Sequence, residues 1–107
     1  MQFGGRAAGR RIREYPWSGV RAARVRGRGV ELVLTLGTGM GAALFTDGVL
    51  VPNLELGHHP FRDGQTYEDQ VRDTELKRIG AVEWTARVMS ALAQIEPIFN
   101  YDVLHLG

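Results

Sequence analysis

Apolar and polar positions divide the 107-residue chain into a sparse first quarter and a patterned remainder. From Val30, the run Val30-Glu31-Leu32-Val33-Leu34-Thr35-Leu36 is β-rich and nearly all apolar. That pattern predicts a strand buried on both faces. Gly37-Thr38-Gly39-Met40-Gly41 interrupts it, and residues 42–46 resume it. Asp47-Gly48 predicts a two-residue hairpin turn, since both residues tolerate positive φ. Val49-Leu50-Val51 then completes a three-strand meander, closed by Pro52-Asn53. Residues 53–65 hold Asn, Gly, His, Pro and Asp and read as loop. Thr66, with Asp69 three residues on, marks a helix start. A polar helix is expected to about Arg78, ended by Gly80. A second helix is expected from about Val82, with Val88, Met89, Leu92, Ile95 and Phe99 as its apolar face. Trp84 reads as a packing residue off that stripe, and Pro97 as a kink or early stop. Tyr101 to Leu106 alternates toward a final strand. There is no internal repeat.

Residues 4–29 are mostly Arg, Gly, Ala and Val with almost nothing to form a core, Tyr15-Pro16-Trp17 is their only apolar cluster, and their glycines interrupt any regular element. The formal net charge of +1 is a sum of unlike parts. Residues 1–28 hold eight arginines and one acid, Glu14, whereas residues 29–107 hold five basic groups and eleven acids. The expectation is therefore a poorly ordered basic arm, 1–28, on an acidic body, 29–107. Such an arm can neutralise nucleic-acid phosphates, but it lacks the interleaved aromatics of a stacking platform, so a solvated tail is favoured. The length allows one domain. The absence of cysteine excludes disulfides and thiolate zinc sites, and no apolar run reaches the ~20 residues of a membrane helix. No secretory signal is evident at the N-terminus, so a soluble cytoplasmic protein is expected.

Two stretches carry candidate chemistry. Gly37, Thr38, Gly39 and Gly41 leave backbone N–H groups uncovered for an anion, with the Thr38 hydroxyl as a further donor. The loop is neither a Walker A motif, lacking Gly-Lys-Ser/Thr, nor a Rossmann fingerprint, because a strand follows it. The glycines alone favour a tight turn. Glu55-Leu56-Gly57-His58-His59 places a carboxylate and an imidazole three apart, both able to hydrogen-bond vicinal hydroxyls. With one Glu, two adjacent His and no Cys, it is poor as a metal site, and alone it reads as an exposed polar loop.

The order of these pieces resembles the ROK family of sugar kinases, most closely its glucokinase and polyphosphate glucokinase branch. The match runs from about Gly29 to Gly107, through Leu36-Gly37-Thr38-Gly39-Met40-Gly41, Glu55-Leu56-Gly57-His58, Phe99-Asn100-Tyr101-Asp102 and Leu104-His105-Leu106-Gly107. The resemblance implies an α/β fold, a partial actin-like ATPase (ribonuclease H-like) domain with a β-meander followed by two helices and a strand. It implies phosphoryl transfer from ATP or polyphosphate, with Mg²⁺, to the 6-hydroxyl of glucose or a similar hexose. Gly37, Thr38, Gly39 and Gly41 would then face the donor phosphates, and Glu55 and His58 the sugar, with Gly57 permitting the turn. No residue matches the family's catalytic Asp, usually in an Asn-Asp pair before the glycine loop: the chain has no Asp before Asp47 and no Asn before Asn53. The family's structural zinc site, of one His and three Cys, is excluded, as it is in the polyphosphate branch. The expectation is a truncated kinase fragment, inactive alone, with exposed sheet edges that favour a homodimer or a complementing chain. The alternatives are a non-catalytic sugar- or phosphate-binding fragment and nucleic-acid binding through the arm.

Overall fold

The computed structural model describes residues 6–7, 10–14 and 25–107. The meander forms as expected: β3 (Val30–Leu36) pairs antiparallel with β4 (Met40–Thr46), and β4 with β5 (Val49–Val51). Asp47 and Gly48 turn the chain with φ of 49° and 81°. The break between β3 and β4 is shorter than the glycines suggest, because Met40 and Gly41 already pair with Leu36 and Thr35.

The arm departs from expectation. Within it lie two short strands, β1 (Arg6–Ala7) and β2 (Arg10–Glu14). The final strand, β8 (Val103–Leu106), runs parallel to both β2 and β3 and lies between them. The sheet order is β1-β2-β8-β3-β4-β5. Parallel pairing with β8 supplies the partners that the glycines gave no reason to expect, and Ile12 is buried at 4% exposure. The arm's other residues, Tyr15-Pro16-Trp17 among them, and its arginine side chains up to Arg24 lie outside the described residues.

Registered pairing puts Ile12, Leu104 and Leu32 in one row across the sheet, with Leu106 and Leu34 in the next row of the same face. This face packs on α3 (Ala81–Phe99), whose buried residues are Trp84, Val88, Ala91, Leu92 and Ile95. Their spacing of four, three, one and three is a continuous helical stripe. Trp84 therefore lies on the stripe, and its indole N–H donates to Val71 O at 2.8 Å. Met89 is the residue off it, 39% exposed. Pro97 does not end α3, which continues to Phe99. In the last turn its missing N–H removes only one ladder bond, and Asn100, left-handed at φ 48°, closes the helix.

Residues 53–65 are more structured than a loop. A 3-10 turn covers Leu56–His58, and β6 (Pro60–Arg62) and β7 (Gln65–Thr66) form a hairpin. Asp63 and Gly64, at φ 55° and 72°, turn it as Asp47 and Gly48 turn theirs. The Phe61 ring stacks on Tyr67 at 4.8 Å, and Tyr67 is fully buried. The expected polar helix is two: α1 (Tyr67–Val71) and α2 (Asp73–Ile79), broken where Arg72 turns extended at ψ 162°. Among the described residues, no helix is long and apolar enough to cross a membrane.

Candidate functional site

The glycine loop leaves the carboxyl end of β3. There the chain lies beside the carboxyl end of parallel β8, with Leu36 N–H donating to Gly107 O at 2.8 Å. The crevice beyond the carboxyl ends of parallel strands is where open α/β sheets hold ligands. Gly37 N–H donates to Gly39 O at 3.0 Å, closing the loop on itself, and Thr38 at its tip is exposed. Gly41 does not belong to the loop. It stands in β4 opposite Thr35, whose hydroxyl occupies the place a Cβ would take.

The 3-10 turn carries the second stretch to the same place. Glu55 and His58 are both exposed, with His58 Nδ1 at 3.9 Å from Glu55 Oε2. Gly57 between them is buried, and a Cβ there would stand 2.5 Å from Met40 O. Its smallness thus seats the turn against β4; no positive φ is involved. Leu56, buried beside it, joins the same core as Met40.

The residue that joins the two stretches is Glu68, in the first turn of α1. Its Oε1 accepts from Met40 N–H at 2.9 Å, and its Oε2 lies 3.7 Å from His58 Nε2. The Glu68 carboxylate fills the space where Gly39 would carry a Cβ. Its position follows from the start of α1. Thr66 Oγ1 accepts from Asp69 N–H at 3.1 Å, and Asp69 Oδ2 accepts from Thr66 N–H at 3.0 Å, a complete capping box. The Thr66 N–H and hydroxyl hold the Asp69 carboxyl below its ordinary range, burial opposing them and Arg72 and His58 adding to them. In the sequence Glu68 is one more charge of the expected polar helix, because nothing local shows that its partners lie 28 and 10 residues away.

Backbone and side chains thus converge as one small constellation: the glycine loop with Thr38 exposed at its tip, a Glu55–His58 pair suited to hydroxyls, and a bridging carboxylate. Chemically it can receive a polyol on one side and an anion on the other. Among the described residues, no group of three or more His, Cys, Asp or Glu is set to hold a metal ion. The Mg²⁺ implied by the resemblance is therefore assigned to no residue here.

Sheet, helices and loop define the class: a partial α/β domain of the actin-like ATPase fold. The inorganic polyphosphate/ATP-glucomannokinase from Arthrobacter sp. strain KM has a similar structure. The TM-score is 0.70 and the identity 33%, over 78% of this chain and 33% of that one. The polyphosphate glucokinases of Mycobacterium tuberculosis strains H37Ra and H37Rv are each 32% identical over 80 residues, 74% of this chain and 30% of theirs. No model of a protein family matches the sequence. The homologues of this chain are polyphosphate glucokinases of the ROK family, and it spans about 30% of the length of these curated relatives.

Proposed function

We propose that the chain carries the sugar-facing turn and one phosphate-facing loop of a ROK glucokinase, and that it does not catalyse phosphoryl transfer by itself. The observation that carries this reading is the meeting of the Glu55–His58 turn and the residue 37–39 loop at Met40 and Glu68, beyond the carboxyl ends of β3 and β8. Glu55 and His58 take vicinal hydroxyls of glucose or a similar hexose, the carboxylate accepting and the imidazole donating or accepting. The tip of the residue 37–39 loop, with the exposed Thr38 and its hydroxyl, faces the phosphates of ATP or polyphosphate. Mg²⁺ bound with the donor would supply charge neutralisation. Such transfer rests on positioning and electrostatics, and the attacking hydroxyl still needs a base. The residue that the family uses is absent, and losing a general base lowers rates by about 10²–10⁴.

The test uses the whole 107-residue chain, labelled for NMR. Millimolar glucose should shift the His58 ring resonances, and Glu55→Ala or His58→Ala should abolish the response. A wild-type chain silent to glucose overturns the sugar reading. With ATP and Mg²⁺, or with polyphosphate, glucose 6-phosphate should stay at the no-enzyme blank. Formation well above that blank sinks the claim of inactivity.

A further inference from the structure

By composition and by burial, β8 is an interior strand. Val103, Leu104, His105 and Leu106 are each at 1% exposure or less. The strand carries no lysine, proline or acid of the kind that guards an open edge. One of its flanks is covered by β3. On the other flank no strand of residues 29–107 stands, and β2 fills the place. Its Ile12 sits beside Leu104 in the row that α3 covers.

Because β2 and β3 both run parallel to β8, the chain must return to the amino end of β3. The fifteen residues from Tyr15 to Gly29 exceed the dozen or so that such a crossover needs. Three carboxylates of the body receive the returning backbone. Glu31 accepts from Arg26 N–H at 2.9 Å and from Gly27 N–H at 3.0 Å. Asp47 Oδ1 accepts from Gly29 N–H at 2.8 Å, and Asp102 Oδ2 from Val30 N–H at 2.9 Å. Gly27 and Gly29, at φ 86° and 69°, make the bends that aim these donors. The opposite charge of the acidic body and the basic arm favours the same docking.

We propose that the β8 edge is a strand-accepting site, and that residues 10–14 of the chain's own arm occupy it as a tethered ligand that excludes strands of other chains. Main-chain pairing with β8 supplies the affinity, and Ile12 beside Leu104 supplies the register. The tether makes the binding intramolecular, so a free copy of the same segment competes at a disadvantage.

The experiment uses the ¹⁵N-labelled whole chain and a synthetic peptide of residues 6–14, Arg-Ala-Ala-Gly-Arg-Arg-Ile-Arg-Glu. In the wild-type chain the amides of residues 11–13 should exchange with solvent at least about tenfold slower than in the free peptide. Equal rates overturn the proposal, since the arm then does not hold the edge. Ile12→Asp sets a charge in the apolar row and should expel β2, while the amides of β3 and β4 stay protected. The wild-type peptide should then shift the β8 amides of this variant at a concentration at least about tenfold below that needed with the wild-type chain. A peptide carrying the same Ile12→Asp change should leave them unmoved. Equal response of the wild-type and variant chains overturns the exclusion by the arm. A folded variant whose β8 amides ignore the wild-type peptide overturns the strand-accepting site, and so does one that takes both peptides equally. If Ile12→Asp does not fold, Ile12→Ala takes its place with both peptides, and the same outcomes decide.

Discussion

Glu31 is fully buried in a strand that is otherwise apolar, and it survives there because every lone pair that matters has a donor. His105 Nε2 lies 3.0 Å from Oε1, Arg26 N–H donates at 2.9 Å and Gly27 N–H at 3.0 Å. Burial raises the carboxyl's pKa, but the His105 bond and the two backbone donors together outweigh it and leave Glu31 below its ordinary value of 4.5. A carboxyl lowered on folding adds stability that is complete above its unfolded pKa and lost as pH falls through the folded one. The urea midpoint should therefore fall as pH drops below about 4.5, and the fall should be shallower in Glu31→Gln. An equally steep fall in that variant would assign the acid sensitivity to other carboxyls, with Glu75 foremost. The Arg78 and Arg87 guanidiniums hold Glu75 down to about 2 against some burial. None of this is legible locally. Glu31 stands in the sequence as one charge in an apolar run, and its imidazole partner is 74 residues away.

At the scale of elements, short-range signals were legible wherever the deciding contacts are themselves short-range. The meander, its Asp47-Gly48 turn and the Thr66 start all depend on residues within a few positions. Thr66→Ala removes one half of the capping box and should destabilise the chain by about 1 kcal/mol in urea titrations. Thr66→Ser, which keeps the hydroxyl, should lie close to wild type, and equal loss in both variants would remove the cap as the cause. The β6–β7 hairpin went unread although Asp63-Gly64 repeats the signal of Asp47-Gly48. Its strands are too short for alternation to show, and its contacts with α1, the Phe61 ring on Tyr67 and the Arg62 guanidinium on Gln70, appear only in the folded chain. Trp84 differs for a related reason. The apolar periodicity is clear only from Val88 onward, and the packing of α1 on α3 shows that the buried face begins a turn earlier.

For the whole molecule, the decisive feature is that β8 lies between β2 and β3, so a strand of the arm meets the last strand of the body. Ile12 joins the row formed by Leu104 and Leu32. If that row is part of one core, Ile12→Ala should cost about 2–5 kcal/mol, read from the shift of the urea transition. A change within about 0.5 kcal/mol would mean that β2 contributes no packing. At the other edge, β5 pairs on one side only, with β4, and leaves Val49, Leu50 and Val51 exposed, an edge with little protection against further pairing. By itself the sequence determined the meander and the final strand, the long helix, the Asp47-Gly48 turn, the helix cap and the two motif-bearing stretches. Each follows from backbone preference or periodicity over a few residues. Only the tertiary structure decided that an arginine-rich segment enters the sheet, that Glu31 meets His105 and that Glu68 joins the loop to the His58 turn. Those contacts span tens of residues, and their energy depends on burial and on the direction of single hydrogen bonds, which the folded chain alone supplies.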